Sequence, residues 1–177
     1  MAKVIGTVVY FMKNYIIDNL GKEALDNMEF DDDVRQVLNS PVQSGTWYDV
    51  KVFEQILENL QKKYGRQEIK KSSELAAEKQ LQFLFGLIST FVSPQRIFKN
   101  AQIMWRKCYD EGTLSILEYE ESKVVLQVSG FTFTDPFRYG EEIFFKAFIE
   151  IVTRKKVITT HSKSIDDTTT QFSYTMR

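Results

Sequence analysis

The sequence is short of the residues on which most enzyme and metal chemistry draws. It has one cysteine, Cys108, so no internal disulfide can form, and a cytoplasmic protein is the economical reading. Its one histidine, His161, lies in a different element from Cys108, with nothing local to join the two as base and nucleophile. The eight glycines are scattered singly, so neither a GxGxxG turn nor a Walker phosphate loop occurs. No apolar run approaches the roughly 20 residues needed to span a bilayer, and the first residues lack the basic, apolar and small order of a signal peptide. A net charge of −1 argues against a nucleic-acid partner, because such binders concentrate positive charge on one face. Together these absences point away from catalysis.

What the chain has is apolar and aromatic bulk. With 43% hydrophobic and 14% aromatic residues among 177, it can bury a sizeable core as a single domain, residues 1–177. The longest stretch of helical apolar spacing runs from Leu81 to Tyr109, broken once at Ser93-Pro94. Leu81, Leu84, Phe85, Ile88, Phe91 and Val92 share one face of a first helix. Ser93 as cap and Pro94 at the first helical position open a second, with Ile97, Phe98, Ala101, Met104, Trp105 and Cys108 facing inward. This pair is expected to form the central layer on which everything else packs.

Residues 1–111 read as helical throughout. Val4, Val8, Phe11, Met12, Tyr15 and Ile16 line one side of a first helix that ends at Gly21. Glu23 to Met28 and Asp32 to Leu38 form two short helices; Asp31, Asp32 and Asp33 favour the dipole of the second rather than a metal, since no calcium-loop spacing follows. Asn39 to Thr46 is a polar loop. Trp47 and Tyr48 follow it, and Asp49 caps a helix with Val52, Phe53, Ile56, Leu57 and Leu60 inward, ending at Gly65. Gln67 to Ser73 reads as a charged connection.

The character changes at Gly112. Leu114 to Tyr119 and Lys123 to Ser129 are rich in branched residues and read as an antiparallel hairpin. Asp135-Pro136 opens a helix with Ile143, Phe144, Ala147, Phe148 and Ile151 on its inner face; Glu141 and Glu142 in its early turns read as solvated. Arg154, Lys155 and Lys156 compensate its dipole. Val157 to Lys163 and Thr169 to Met176 form a second hairpin, with His161 as a structural imidazole. The class is therefore α+β, a helical N-terminal half packed on a ββαββ antiparallel sheet.

Gly6-Thr7 before an aromatic-rich helix ending in Gly21, Trp47-Tyr48 before the next helix, and Ser93-Pro94 opening a helix through Trp105 and Tyr109 carry a resemblance. In that order the chain resembles an uncharacterised family of bacterial paralogues, similar in turn to the haem-nitric-oxide/oxygen-binding (H-NOX) domains and the vinyl reductase-type small-molecule-binding domains. The resemblance covers essentially the whole chain. It implies an H-NOX-like fold and a sensory or regulatory domain of the cytoplasm, with a pocket between helices and sheet, signalling through protein contacts.

The departures bear on the cofactor. H-NOX domains hang haem iron on a histidine in the helix that corresponds to Ile97–Tyr109; here the aligned place is near Gln102, and that helix has no histidine. The tyrosine-serine-arginine pattern for the haem propionates is also missing from Val124 to Gly130. A haem-free member is expected. Vinyl reductase-type relatives carry cysteines near the last hairpin that can bind zinc, whereas His161 with Asp166 and Asp167 falls short of four ligands. No cofactor and no metal are expected.

Two readings remain. In the first, Phe91, Phe98, Gln102, Trp105, Phe144 and Phe148 line a pocket for a small apolar ligand. In the second there is no small ligand, and Trp47 and Tyr48 anchor an interface with a second copy or a signalling partner.

Overall fold

The computed structural model describes residues 2–85 and 93–177, with the backbone course alone for residues 80–85. The chain opens with strand β1 (Lys3–Ile5), followed by helices α1 (Gly6–Leu20), α2 (Lys22–Asp26) and α3 (Asp32–Asn39). Strand β2 (Trp47–Asp49) leads into α4 (Val50–Tyr64) and α5 (Arg66–Phe85). Beyond Ser93 come α6 (Pro94–Lys99), α7 (Ala101–Cys108), β3 (Thr113–Tyr119), β4 (Lys123–Ser129), α8 (Asp135–Thr153), β5 (Val157–Asp166) and β6 (Thr169–Met176).

Two corrections concern the helical half. It is not wholly helical: β1 and β2 pair antiparallel, Val4 opposite Tyr48, and Val4 also bridges to Tyr109. Strands of three residues are too short for alternation to register, which is why the sequence hides them. Gln67 to Ser73 is not a connection but part of α5. There Ile69, Ser72 and Ser73 are buried at helical spacing, and the charged neighbours obscure an inner face made of small residues. Small residues let α5 lie close to α8: a Cβ on Gly140 would come within 3.3 Å of Ser73 Oγ.

The expected central pair is also redistributed. Leu81 to Phe85 is the end of α5, while Ile88, Phe91 and Val92 lie outside the described residues. The second half divides at Asn100 into α6 and α7. The central element is instead α8, which packs against α4, α5 and α6 as well as the sheet. Its buried residues include Phe137, Phe145, Ile149 and Val152 besides Ile143 and Phe148, whereas Ile151 is exposed.

The C-terminal sheet is antiparallel in the order β3-β4-β6-β5. Val124, Leu126 and Val128 of β4 stand opposite Tyr174, Phe172 and Thr170 of β6, and all six are buried beneath α8. Both edge strands are bulged. The ladder skips Leu117 in β3, and Ile158 and Ile165 in β5. Those three residues are about half exposed, because an extra residue in a bulge breaks the alternation that would turn it inward.

Gly6 is set by close approach. The loop between α3 and β2 folds back so that Gly6 N–H donates to Thr46 O and Thr7 N–H to Ser44 O. A Cβ on Gly6 would lie 2.0 Å from Gln43 O and 2.8 Å from Tyr48. Gly6→Ala is expected to cost about 2–3 kcal/mol through displacement of that loop, measured by urea unfolding.

Candidate ligand-binding site

A cavity of about 690 Å³ lies among helices α1, α5, α7 and α8. Thr7, Val8, Phe11 and Met12 of α1 form one wall, with Ser73, Ala76 and Lys79 of α5 beside them. Ala101, Met104, Trp105, Lys107 and Cys108 of α7 form the opposite wall, continued by Tyr109. Gly140, Glu141, Phe144, Phe145 and Phe148 of α8 form the floor, while the sheet contributes only Leu114. Among the described residues the lining is therefore mainly helical, with Ile5 of β1, Ser44 and Leu114 added to it. Its volume is within the range of small-molecule sites.

Rings stiffen the floor and the α7 wall. Trp105 packs against Tyr109 with ring centroids 4.4 Å apart and planes tilted by 38°, meets Phe131 edge-on at 5.3 Å, and its Nε1 donates to Glu111 O at 2.9 Å. Phe145 in turn meets Phe172 of the sheet at 5.2 Å.

The polar end holds three coupled groups. Tyr109 OH donates to Glu141 Oε1 at 2.7 Å, both buried. Burial pushes the Glu141 carboxyl up to about 7, only partly offset by the Tyr109 hydroxyl. Burial and the same carboxylate hold the Tyr109 phenol well above its ordinary value. Cys108 lies deep in the protein yet exposes part of its surface to the cavity, and burial with Glu141 nearby pushes its thiol up to about 12.

The residues singled out from sequence separate into groups. Trp105, Phe144 and Phe148 line the larger cavity. Phe98 and Gln102 line a second cavity of about 440 Å³, between α6, α7 and β3. There the Gln102 side chain accepts from Leu114 N–H at 2.5 Å. Phe91 lies outside the described residues. Trp47 is exposed on β2, whereas Tyr48 is half-buried and its hydroxyl accepts from Gln43 N–H at 3.0 Å. His161 is exposed on β5 opposite Ser173 and borders neither cavity. Glu142 accepts from Thr160 Oγ1 at 2.6 Å.

Glu141 was read from sequence as solvated, and this is corrected: it is 6% exposed. The available signal was its position, four residues after Phe137 and four before Phe145, which puts it on an apolar helix face.

No protein-family model and no curated protein matches this sequence. Solved structures do. The chain is similar to the Fe(II) unliganded H-NOX protein of K. algicida with a TM-score of 0.72, at 13% identity over 98% of this chain and 96% of that one. Against the H-NOX protein of S. oneidensis in its Fe(II)NO ligation state the TM-score is 0.67, at 8% identity over 98% of this chain and 99% of that one. The chain has the H-NOX fold. The ββαββ half, the helices before it and their order all follow that fold.

H-NOX structures carry iron, so the donors of this chain must be compared with what a haem requires. The chain's one histidine is remote from the cavity. Position 102 turns away toward β3. None of the described wall residues is a histidine, and the Tyr109 hydroxyl is engaged by Glu141. Histidine ligation of a haem iron therefore has no donor among them.

Two measurements follow from the polar end. Between about pH 4.5 and 7 the folded chain keeps a proton on Glu141 that the unfolded chain has released. Stability from this group is full below about pH 4.5 and is lost as pH rises to 7, a span of about 3 kcal/mol. Urea unfolding of Glu141→Gln should be flatter across that window than the parent. Cys108 should react with iodoacetamide at pH 8 at least about 100-fold more slowly than free cysteine, because its thiolate is scarce. Reaction at the free-thiol rate would contradict the buried placement.

Proposed function

We propose that the protein is a non-catalytic sensor domain. It holds a small apolar molecule, without haem, in the helical cavity and transmits occupancy through a protein contact. The observation that carries the reading is the cavity itself: about 690 Å³, walled chiefly by aromatic and aliphatic side chains with a few polar groups among them. The H-NOX fold supports it, and the absence of a cavity histidine from the sequence favours a ligand other than haem. Trp105, Phe144 and Phe148 are the contact residues of this proposal, and Phe98 and Gln102 are assigned to the smaller cavity. A change at α7 reaches β1 directly, because Val4 bridges to Tyr109 and Lys3 N–H donates to Asp110. That route leads to the chain surface beside the exposed Trp47.

The second reading, a dimerisation or docking module without a small ligand, draws on Trp47. It stays exposed while its neighbour Tyr48 covers the loop.

Native mass spectrometry with an absorption spectrum on the same sample separates the two. The sensor reading expects a reproducible bound mass with no haem band, lowered at least tenfold in occupancy by Ala76→Leu, which fills the cavity from α5. A haem band would overturn the haem-free assignment. A clean, unliganded dimer that Trp47→Ala converts to monomer would replace the sensor reading with the interaction module.

A further inference from the structure

Glu141 is the one carboxylate among the described residues of the cavity wall. Its Oε1 is taken by the Tyr109 hydroxyl, and no lysine or arginine among the described residues neutralises it. Tyr109 is the one described side chain that donates to this carboxylate. A buried carboxylate with a single donor and no counter-charge is unfavourable unless something completes it. Gly140 beside it lets α8 lie close to α5, where a Cβ would come within 3.3 Å of Ser73 Oγ.

We propose that this end of the cavity recognises a lipophilic amine, whose N–H donor engages Glu141 Oε2 while its apolar body lies along Met12, Phe144 and Phe148. The assignment rests on the cavity being a ligand site and adds the class of ligand.

The chemistry selects a donor. A charged N–H on a carboxylate gives a short, charge-assisted hydrogen bond in surroundings where other partners are excluded. A carboxylate or phosphate head would meet the charge of Glu141 at close range. An alcohol could donate once but would leave the carboxylate without a counter-charge. The buried titratable neighbours are neutral toward it. Cys108 and Tyr109 at the end of α7 and Tyr174 on β6 are all held as neutral groups by burial or by acidic neighbours. Lys79 of α5 and Lys107 of α7 line the cavity but are exposed, and neither forms an ion pair with Glu141. They set the outer part of the cavity against a cation, so the amine is held at the deep end.

Proton accounting follows from the Glu141 carboxyl, which titrates near 7 in the ligand-free chain. An ammonium ligand binds the ionised form, so below that pH binding releases the proton from Glu141. Affinity should fall roughly tenfold from pH 8 to pH 6.

The experiment uses n-octylamine, 1-octanol and octanoate as probes, read by the fluorescence of Trp105 in the cavity wall. A Trp47→Phe background makes Trp105 the sole tryptophan of a chain that has two. Octylamine is expected to bind at least tenfold more tightly than octanol. Glu141→Gln should abolish that preference while leaving octanol within threefold. Should Glu141→Gln fail to fold, the parent's tenfold loss of octylamine affinity at pH 6, with octanol unchanged, carries the same test. Octanol binding with octylamine no tighter, or octanoate binding tightest, would overturn the amine assignment and leave the cavity reading standing. Failure of all three probes would overturn the cavity reading and this assignment with it.

Discussion

A helix packed on several sides keeps only a narrow face for charge, and in α8 that face is Arg138, Glu142, Lys146 and Glu150, four residues apart. The helix is pressed by α4 and α5 on one side and by α6 and the sheet on others, so aromatic residues recur along it from Phe137 to Phe148. Rings join it to its surroundings. Phe137 meets Phe53 of α4 edge-on at 5.0 Å, Phe145 meets Phe172 of β6, and Phe148 meets Phe98 of α6 at 5.9 Å. Edge-to-face pairs add to simple area burial and favour one mutual orientation over others. Removing this helix would separate the helical layer from the sheet and abolish the cavity that depends on its Phe144 and Phe148.

Among the charged residues of α8, Glu141 is the one that stands with the buried residues. Glu141 gains one hydrogen bond from Tyr109 and otherwise sits among apolar groups, so the ionised form is disfavoured. A chain optimised for stability alone would carry leucine or glutamine there. A carboxylate perturbed by burial in a cavity wall is the kind of group at which a site hypothesis starts.

Much of the fold was legible in the sequence. Both hairpins, the ββαββ order and the helix starts at Pro94 and Asp135 follow from alternation, branched residues and cap-proline pairs, signals that are local. Asp49 also caps α4 as expected, accepting from Lys51 N–H at 2.9 Å. What stayed hidden depended on contacts distant in sequence. The β1–β2 pair joins residues more than forty positions apart, and α5 has an inner face of serine and alanine that carries little hydropathy. In the cavity wall, the inward placement of Trp105, Phe144 and Phe148 was legible from helical spacing. Gln102 could not be placed, because spacing does not say which of two cavities a wall residue serves, and its bond to Leu114 N–H is tertiary. Glu141 was passed over because residue type was weighed above position.

The bulges in β3 and β5 have a consequence for how the chain behaves in company. A regular edge strand presents evenly spaced amides on which another chain can extend the sheet. Here each outer strand carries an odd residue, Leu117 on one side and Ile158 and Ile165 on the other. An incoming fifth strand would lose register within a few bonds at either edge. The sheet therefore ends itself after four strands, and crowding offers it no simple path to fibrous growth despite the apolar side chains on its rims.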